Sequence, residues 1–330
     1  MADRLSSTGA RYGRSFTRSL SLRVTATAAT LAVVTASGSG LAAAATTTTA
    51  APTQSTQSAQ PVSILNAPTL VAHTALGDVG YREVGDGSPI VLITGFGASM
   101  DNWAPSFVDA LAVHHQVVVF DNAGVGETAA IPGPLTVSGM ADLTSALIAA
   151  LCLHRPAVLG WSMGGMIAQA LAVRHPDQVG RLALAATQAG DGTSLPIPAA
   201  AAADLNSPNP LVVLSVLFPA DQTAAAQTYL AGILEYPALY GASPAVRAEQ
   251  DAAIAQWMAG EDPSGHEVGR IRVPILIADG AQDALDPAPN ASILAHAVHG
   301  APVILFPDAG HAFLFQDSAV FVPILNWFAS

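Results

Sequence analysis

Val158-Leu159-Gly160-Trp161-Ser162-Met163-Gly164-Gly165 is a short apolar run that ends in a serine between glycines and opens at once into a small-residue helical pattern. A serine on a sharp strand-to-helix turn has its hydroxyl pushed out of the sheet. The backbone there needs an angle that tolerates only small neighbours at close quarters. Gly160, Ser162 and Gly164 fit the spacing G-x-S-x-G. Five residues of such common types are a modest signal alone, so their place among the other elements decides what they mean.

From Leu70 onward, short β-rich runs alternate with helical ones. Leu70–Leu76 and Asp78–Val84, joined at Gly77, read as paired strands; Ile90–Ile93, Gln116–Phe120, Ala157–Leu159, Arg181–Ala185, Pro274–Ala278 and Pro302–Phe306 follow. These runs are nearly all apolar, as parallel strands covered on both faces should be. Between them lie helix patterns at Asn102–Val113, Val137–Leu151, Met163–His175, Pro289–Val298 and Phe315–Phe328. The alternation predicts an α/β fold: a doubly wound, mostly parallel eight-stranded sheet with helices on both faces. One interval breaks it. The roughly eighty residues after Ala185 contain apolar runs but no convincing strand, too many for a plain loop. They predict a helical cap, or lid, inserted after the sixth strand.

The chain therefore divides into an α/β core at 69–189 and 267–330, a cap at 190–266, a disordered linker at 46–68 and an export signal at 1–45. The linker is Thr, Ala, Gln, Ser and Pro without apolar period. The signal reading rests on five arginines up to Arg23, an apolar stretch from Val24 to Leu41, and Ala42–Ala45, which offers an A-x-A cut near Ala44 or Ala45. A retained anchor is the alternative, but Thr, Ser and Gly interrupt the stretch. The expected location is secreted or cell-envelope associated, with no stable membrane insertion after cleavage. No cysteine near the cut supports lipidation.

The chain has no lysine, and beyond Arg23 seven arginines face twenty-three Asp plus Glu, a formal balance of −16. That excludes nucleic acid as a natural partner and disfavours anionic substrates. The single cysteine, Cys152, cannot form an internal disulfide and reads as a small buried apolar residue.

A serine hydroxyl becomes a nucleophile only when a base takes its proton, and the base needs a carboxylate to fix its tautomer. Of nine histidines, His311 follows the last strand in Phe306-Pro-Asp-Ala-Gly-His311, where a loop can carry an imidazole over the sheet edge. For the carboxylate, Asp283 follows the seventh strand in Gly280-Ala-Gln-Asp283; Asp286 and Asp191 are alternatives. A developing oxyanion needs backbone N–H donors, and losing one costs ~3 kcal/mol of transition-state stabilisation. Met163, at a helix start, supplies one, and Phe96, in Thr94-Gly95-Phe96-Gly97 after the third strand, the second. All of these fall at the carboxyl ends of strands, where open α/β sheets bind ligands. Trp103, Asp121 and Met166 are candidate pocket residues, with loop bracing and core packing as their alternative roles.

In order and spacing, the GWSMGG turn, the GAQD turn and the terminal DAGH make this chain resemble the α/β-hydrolase fold superfamily from Leu70 to Ser330. Asp121-Asn-Ala-Gly-Val-Gly126 likewise resembles a glycine-rich loop of its lidded members. The resemblance implies Ser162 as nucleophile, Asp283 as acid, His311 as base, Phe96 and Met163 as oxyanion donors, and 190–266 as the lid. It also implies no metal or organic cofactor. Thr94 stands where the family commonly has a histidine that braces the loop, so this departure bears on loop rigidity more than on activity. Serine at the turn speaks against the dehalogenase and epoxide-hydrolase branches, which place aspartate there.

The expected function is a secreted serine hydrolase acting on small hydrophobic carboxylic esters. Cofactor-free haloperoxidase or perhydrolase chemistry, and lactone or carbon–carbon bond hydrolysis, are alternatives within the superfamily. A non-catalytic binding protein holding a hydrophobic ligand under the lid is the alternative of another class.

Overall fold

The short apolar runs assemble into one eight-stranded sheet in the computed structural model, which describes residues 63–330. The strands are β1 (Leu70–Thr74), β2 (Gly77–Val84), β3 (Ser88–Ile93), β4 (His115–Phe120), β5 (Ala157–Trp161), β6 (Arg181–Ala185), β7 (Ile275–Gly280) and β8 (Val303–Phe306). Their order is β1-β2-β4-β3-β5-β6-β7-β8. β1, β2 and β4 pair antiparallel, and every pairing from β4 to β8 is parallel.

Among the described residues ten α-helices accompany the sheet: α1 (Pro105–Ala112), α2 (Val137–Ala150), α3 (Met163–Arg174), α4 (Ala199–Leu205), α5 (Pro210–Leu217), α6 (Thr223–Ile233), α7 (Pro244–Met258), α8 (Pro289–Ala297), α9 (Phe313–Gln316) and α10 (Ser318–Ala329). The lost alternation in the central strands has its cause in two cores. Ile90 and Leu92 of β3 face one, with Trp103, Phe107, Phe313 and Phe321 from α1, α9 and α10 and the turn before α1. Val91 and Ile93 face the other, with Leu143, Leu147, Ile167 and Leu171 from α2 and α3. The interval after β6 holds α4 to α7 and no strand.

The sheet order also locates a crevice. From β3 the chain steps to β4 on one side, then recrosses to β5 on the other. The carboxyl ends of β3 and β5 therefore flank the point where winding reverses, where an open sheet leaves room for a ligand. The loop carrying Phe96 leaves β3 there, and Ser162 leaves β5.

Several expectations need correction. The helix expected over Phe315–Phe328 is two helices, because Asp317 leaves helical geometry (φ −109°, ψ 31°) and its carbonyl starts a new helix by accepting from Val320 and Phe321. The helix expected from Asn102 begins at Pro105, after a separate turn at Met100–Asn102 capped by Ser99. Cys152 is exposed rather than buried: α2 has ended, and a φ of 53° turns the thiol to solvent.

The end of the expected linker is also structured. Ile64 is fully buried against α1, while Ser63 Oγ and the Ile64 N–H both donate to Asp109. The short turn Ile64–Asn66 thus closes one core; the segments 1–45 and 46–62 lie outside the described residues. Truncating a buried isoleucine to alanine removes transfer energy and leaves a cavity. Ile64→Ala is therefore expected to lower unfolding free energy by about 2–5 kcal/mol. Urea denaturation measures this, and unchanged stability would detach residues 63–68 from the core.

Candidate active site

At the end of β5 the chain reverses into α3 within one residue. Ser162 takes φ 60° and ψ −124°, a region that L-residues avoid and that needs support from its surroundings. Hydrogen bonds supply that support. The Ser162 N–H donates to Ala185 O at 2.9 Å, and its carbonyl accepts from Gly165 N–H and Thr187 Oγ, each at 2.8 Å. The flanking glycines have a steric reason. A Cβ on Gly164 would collide with the Ile93 carbonyl at the end of β3, and one on Gly160 with the backbone of Gly164 and Gly165. Without them α3 could not begin this close to the sheet.

His311 reaches the same edge from the loop after β8, and Trp161 Nε1 donates to its carbonyl at 2.9 Å. Its Nδ1–H donates to Asp283 Oδ2 at 2.7 Å, with both side chains almost wholly buried. That bond fixes the tautomer and leaves Nε2 as the acceptor nitrogen. Asp283 Oδ1 is held in turn by the N–H groups of Leu285 (2.7 Å) and Asp286 (2.8 Å). Burial would lower the His311 pKa, but the charge of Asp283 and its hydrogen bond outweigh burial and hold it above 6.5.

The alternative acids are placed differently. Asp286 Oδ1 accepts from Asn290 Nδ2 at 2.7 Å; burial first, and then repulsion from Asp283, push its carboxyl up to about 7. Asp279 is raised by the same two causes, and Asp191 accepts from the nearby Thr193. The geometry therefore singles out Asp283 as the partner of His311. The other histidines are engaged elsewhere or lie away from this cavity: His73 bonds Asp78, His175 bonds Asp142, His115 bonds Ser88 and His299 bonds the Gly269 carbonyl.

The N–H groups of Phe96 and Met163 donate to no protein acceptor among the described residues. Met163 is the first residue of α3, where the helix dipole favours negative charge. Gly95 packs against Ser162, where a Cβ would lie only 3.1 Å from the serine Cβ, so the β3 loop passes directly over the serine turn.

Ser162 and His311 share a cavity of about 610 Å³, within the range of small-molecule sites. Phe96, Trp161, Leu205, Val213, Leu217 and Tyr229 give it apolar walls, while Asn206, Arg247 and Asp251 give it a polar end. A smaller recess behind Ser162 is lined by Met163, Met166, Ile197, Ile254 and Leu285. α4 to α7 and the loop after α4 supply much of the lining of the larger cavity.

Of the three pocket candidates, Met166 lines the recess; Trp103 and Asp121 line neither cavity. Trp103 is fully buried beneath the site, stacked on Phe107 at 5.9 Å. Asp121 is a brace: Oδ1 accepts from Met100 N–H and Oδ2 from Tyr240 Oη, and burial raises its pKa to about 6. Arg247 and Asp251 were not anticipated. The available signal was Arg247 itself, the lone arginine between Arg181 and Arg270. Among the described residues no group of three or more His, Cys, Asp or Glu is placed to share a metal ion.

Comparison with known proteins places this arrangement. A poly(3-hydroxyalkanoate) depolymerase of Ectopseudomonas oleovorans is 30% identical over 259 residues, spanning 73% of this chain and 84% of its own. A protein assigned as a carbamate hydrolase in Caulobacter sp. strain K31 is 29% identical over 264 residues, 75% of this chain and 94% of that one. The crystal structure of the enol-lactonase from Burkholderia xenovorans LB400 superposes with a TM-score of 0.60 at 27% identity, covering 78% of this chain and 99% of the other. The family model described as the alpha/beta hydrolase fold matches residues 88–318. With more than half of its length matched by that model, this chain belongs to the alpha/beta hydrolase fold family.

Proposed function

We propose that this chain is a serine hydrolase that cleaves carboxylic esters of uncharged, largely hydrophobic substrates through an acyl-enzyme on Ser162. The observation that carries this reading is the 2.7 Å His311–Asp283 bond at a cavity that Ser162 also lines. The family supports hydrolysis, and the relatives extend from a depolymerase to an enol-lactonase and a protein assigned as a carbamate hydrolase.

The steps follow from the groups in place. Ser162 Oγ attacks the ester carbonyl carbon as its proton passes to His311 Nε2, and Asp283 stabilises the resulting imidazolium. The carbonyl oxygen becomes an oxyanion, which the N–H groups of Phe96 and Met163 are free to bind. Collapse expels the alcohol, which takes the proton from Nε2, and leaves Ser162 acylated. Water then attacks the acyl carbon, giving its proton to Nε2; the second tetrahedral intermediate collapses, and Ser162 leaves with that proton. The products are one acid and one alcohol.

Substrate class is inferred from the walls. The cavity is mostly apolar, and its two charged side chains, Arg247 and Asp251, are of opposite sign. A net-anionic ligand would also meet a chain of formal charge −12. A cyclic ester fits the same chemistry, and the 27% identity to an enol-lactonase favours testing lactones beside open-chain esters. Export is part of the proposal, resting on the arginine-bearing, apolar and alanine-rich N-terminal segment. Among the described residues, no helix is long and apolar enough to cross a membrane.

Ser162→Ala is expected to abolish fluorophosphonate labelling and lower kcat on a short-chain nitrophenyl ester by about 10⁴-fold or more. Equal labelling of both proteins would sink the mechanism. His311 acts as base only when neutral, so its raised pKa places the acid limb of kcat/KM above pH 6.5. In Asp283→Asn that limb should move to lower pH while the plateau falls by about 10⁴-fold; a pH–rate profile with an unmoved limb would remove Asp283 from its role. Exported protein should begin near Ala45 or Thr46 on N-terminal sequencing. A chain still starting at Met1 or Ala2 would contradict cleavage.

A further inference from the structure

The loop that carries the Phe96 N–H is held from the helical insertion. Gly97, its next residue, has both backbone groups bonded there: its N–H donates to Gln250 Oε1 at 2.7 Å, and its carbonyl accepts from Ala242 N–H at 3.0 Å. Ala98 and Gly241 form an isolated antiparallel bridge, and Ser99 Oγ donates to the Tyr240 carbonyl at 2.7 Å. The Arg247 guanidinium lies over the Phe96 ring, 4.4 Å from its centroid. Arg247 is itself tied to the Leu205 carbonyl and Asn206 Oδ1, each at 3.2 Å, so the stacked group is fixed within the insertion.

Such ties matter because of what the loop must do. An oxyanion donor acts only if it is aimed to within a fraction of an ångström before reaction begins. Yet Phe96 sits between two glycines, and Gly97 has a φ of +67°. Glycine-bounded peptides lose the most conformational freedom on being fixed, so this loop needs outside partners to hold one orientation. From the core, Asn122 Nδ2 donates to the Thr94 carbonyl at 3.2 Å, and within the loop the Ala98 N–H reaches the Gly95 carbonyl at 3.4 Å; the peptide plane after Phe96 is held from the insertion, through Gln250. Gln250 is fully buried on α7, and only its amide oxygen can accept from a backbone N–H, so its orientation is determined.

We propose that Gln250 is a positioning residue: by holding Gly97, with Arg247 stacked on Phe96, it makes the aim of the Phe96 N–H depend on the helical insertion being seated. The insertion then sets turnover as well as access to Ser162. This deepens the serine-hydrolase reading and rests on it.

The test uses the full chain with Gln250→Met, which keeps volume and removes the acceptor, and Gln250→Glu, which restores one. Two readouts are taken: ester kinetics, and amide hydrogen exchange of the segment 94–99. Gln250→Met should lower kcat about 10–100-fold, a partial loss of what one oxyanion donor supplies, with KM within about threefold. Exchange at Gly97 should accelerate about tenfold or more as its buried hydrogen bond is lost, and Gln250→Glu should recover most of both. If Gln250→Met does not fold, Arg247→Met removes the stacked guanidinium and is read by the same two measurements. Unchanged exchange in a folded variant overturns the brace whether or not the wild type cleaves esters. Faster exchange with kcat intact also overturns it, as does a loss that the glutamate fails to rescue. A wild type without ester turnover sinks the hydrolase reading, and exchange then decides the brace on its own.

Discussion

The turn at Ser162 is where local strain, sheet topology and chemistry meet. A non-glycine residue at φ 60° and ψ −124° costs about 1–3 kcal/mol unless its surroundings impose it. Here they do: Ala185 on β6 accepts its N–H, Thr187 donates to its carbonyl, and α3 packs against β3 through Gly164. Each of these partners sits on a neighbouring parallel strand or the loop that follows one. The turn therefore forms only when the centre of the sheet has formed, and the same sheet brings the loops after β3, β7 and β8 to one edge. Strain at the serine is thus tied to assembly of the residues around it.

Electrostatics then separates groups that sequence leaves equivalent. Asp279, Asp283 and Asp286 fall within eight positions, and all three are near His311 or one another. Three buried charges could not coexist so close in a medium of low polarity. Two N–H donors and an imidazole N–H converge on Asp283, whereas Asp279 and Asp286 are driven toward the protonated form. Three N–H donors therefore aim at the carboxyl that faces Nδ1, and its charge and hydrogen bond raise the basicity of the imidazole.

What sequence made legible was short-range or periodic. β3 to β7 announce themselves as apolar runs because both faces are covered, whereas β8 is apolar yet partly exposed at the sheet edge. The serine, acid and histidine turns sit at strand ends where glycines mark them. What it hid depends on docking between distant segments. Ile64 looks like the tail of a linker until α1 is placed against it. Trp103 and Asp121 lie near the site in sequence, yet face a core and the Tyr240 hydroxyl. Cys152 follows an apolar helical run and reads as buried, but α2 ends two residues earlier and the thiol is exposed. Gln250 is separated from Gly97 by 153 positions, a pairing no periodicity encodes.

The polar end of the cavity follows the same logic. Arg247 and Asp251 stand one helical turn apart on α7; burial disfavours the charge on both, and each offsets the other's loss only in part. A partly buried pair of this kind is a weak source of stability, and an apolar pair of similar volume would serve the fold as well. Its consequence is geometric instead. A planar cation can stack on Phe96 while reaching the Leu205 carbonyl and the Asn206 amide, which an ammonium or an aliphatic chain could not do together. Asp251 meanwhile balances the charge, so the wall facing Ser162 gains a rigid polar corner without drawing anions into an acidic protein. The feature that stacks on the loop after β3 is therefore also the one that keeps the cavity's polar corner free of net charge.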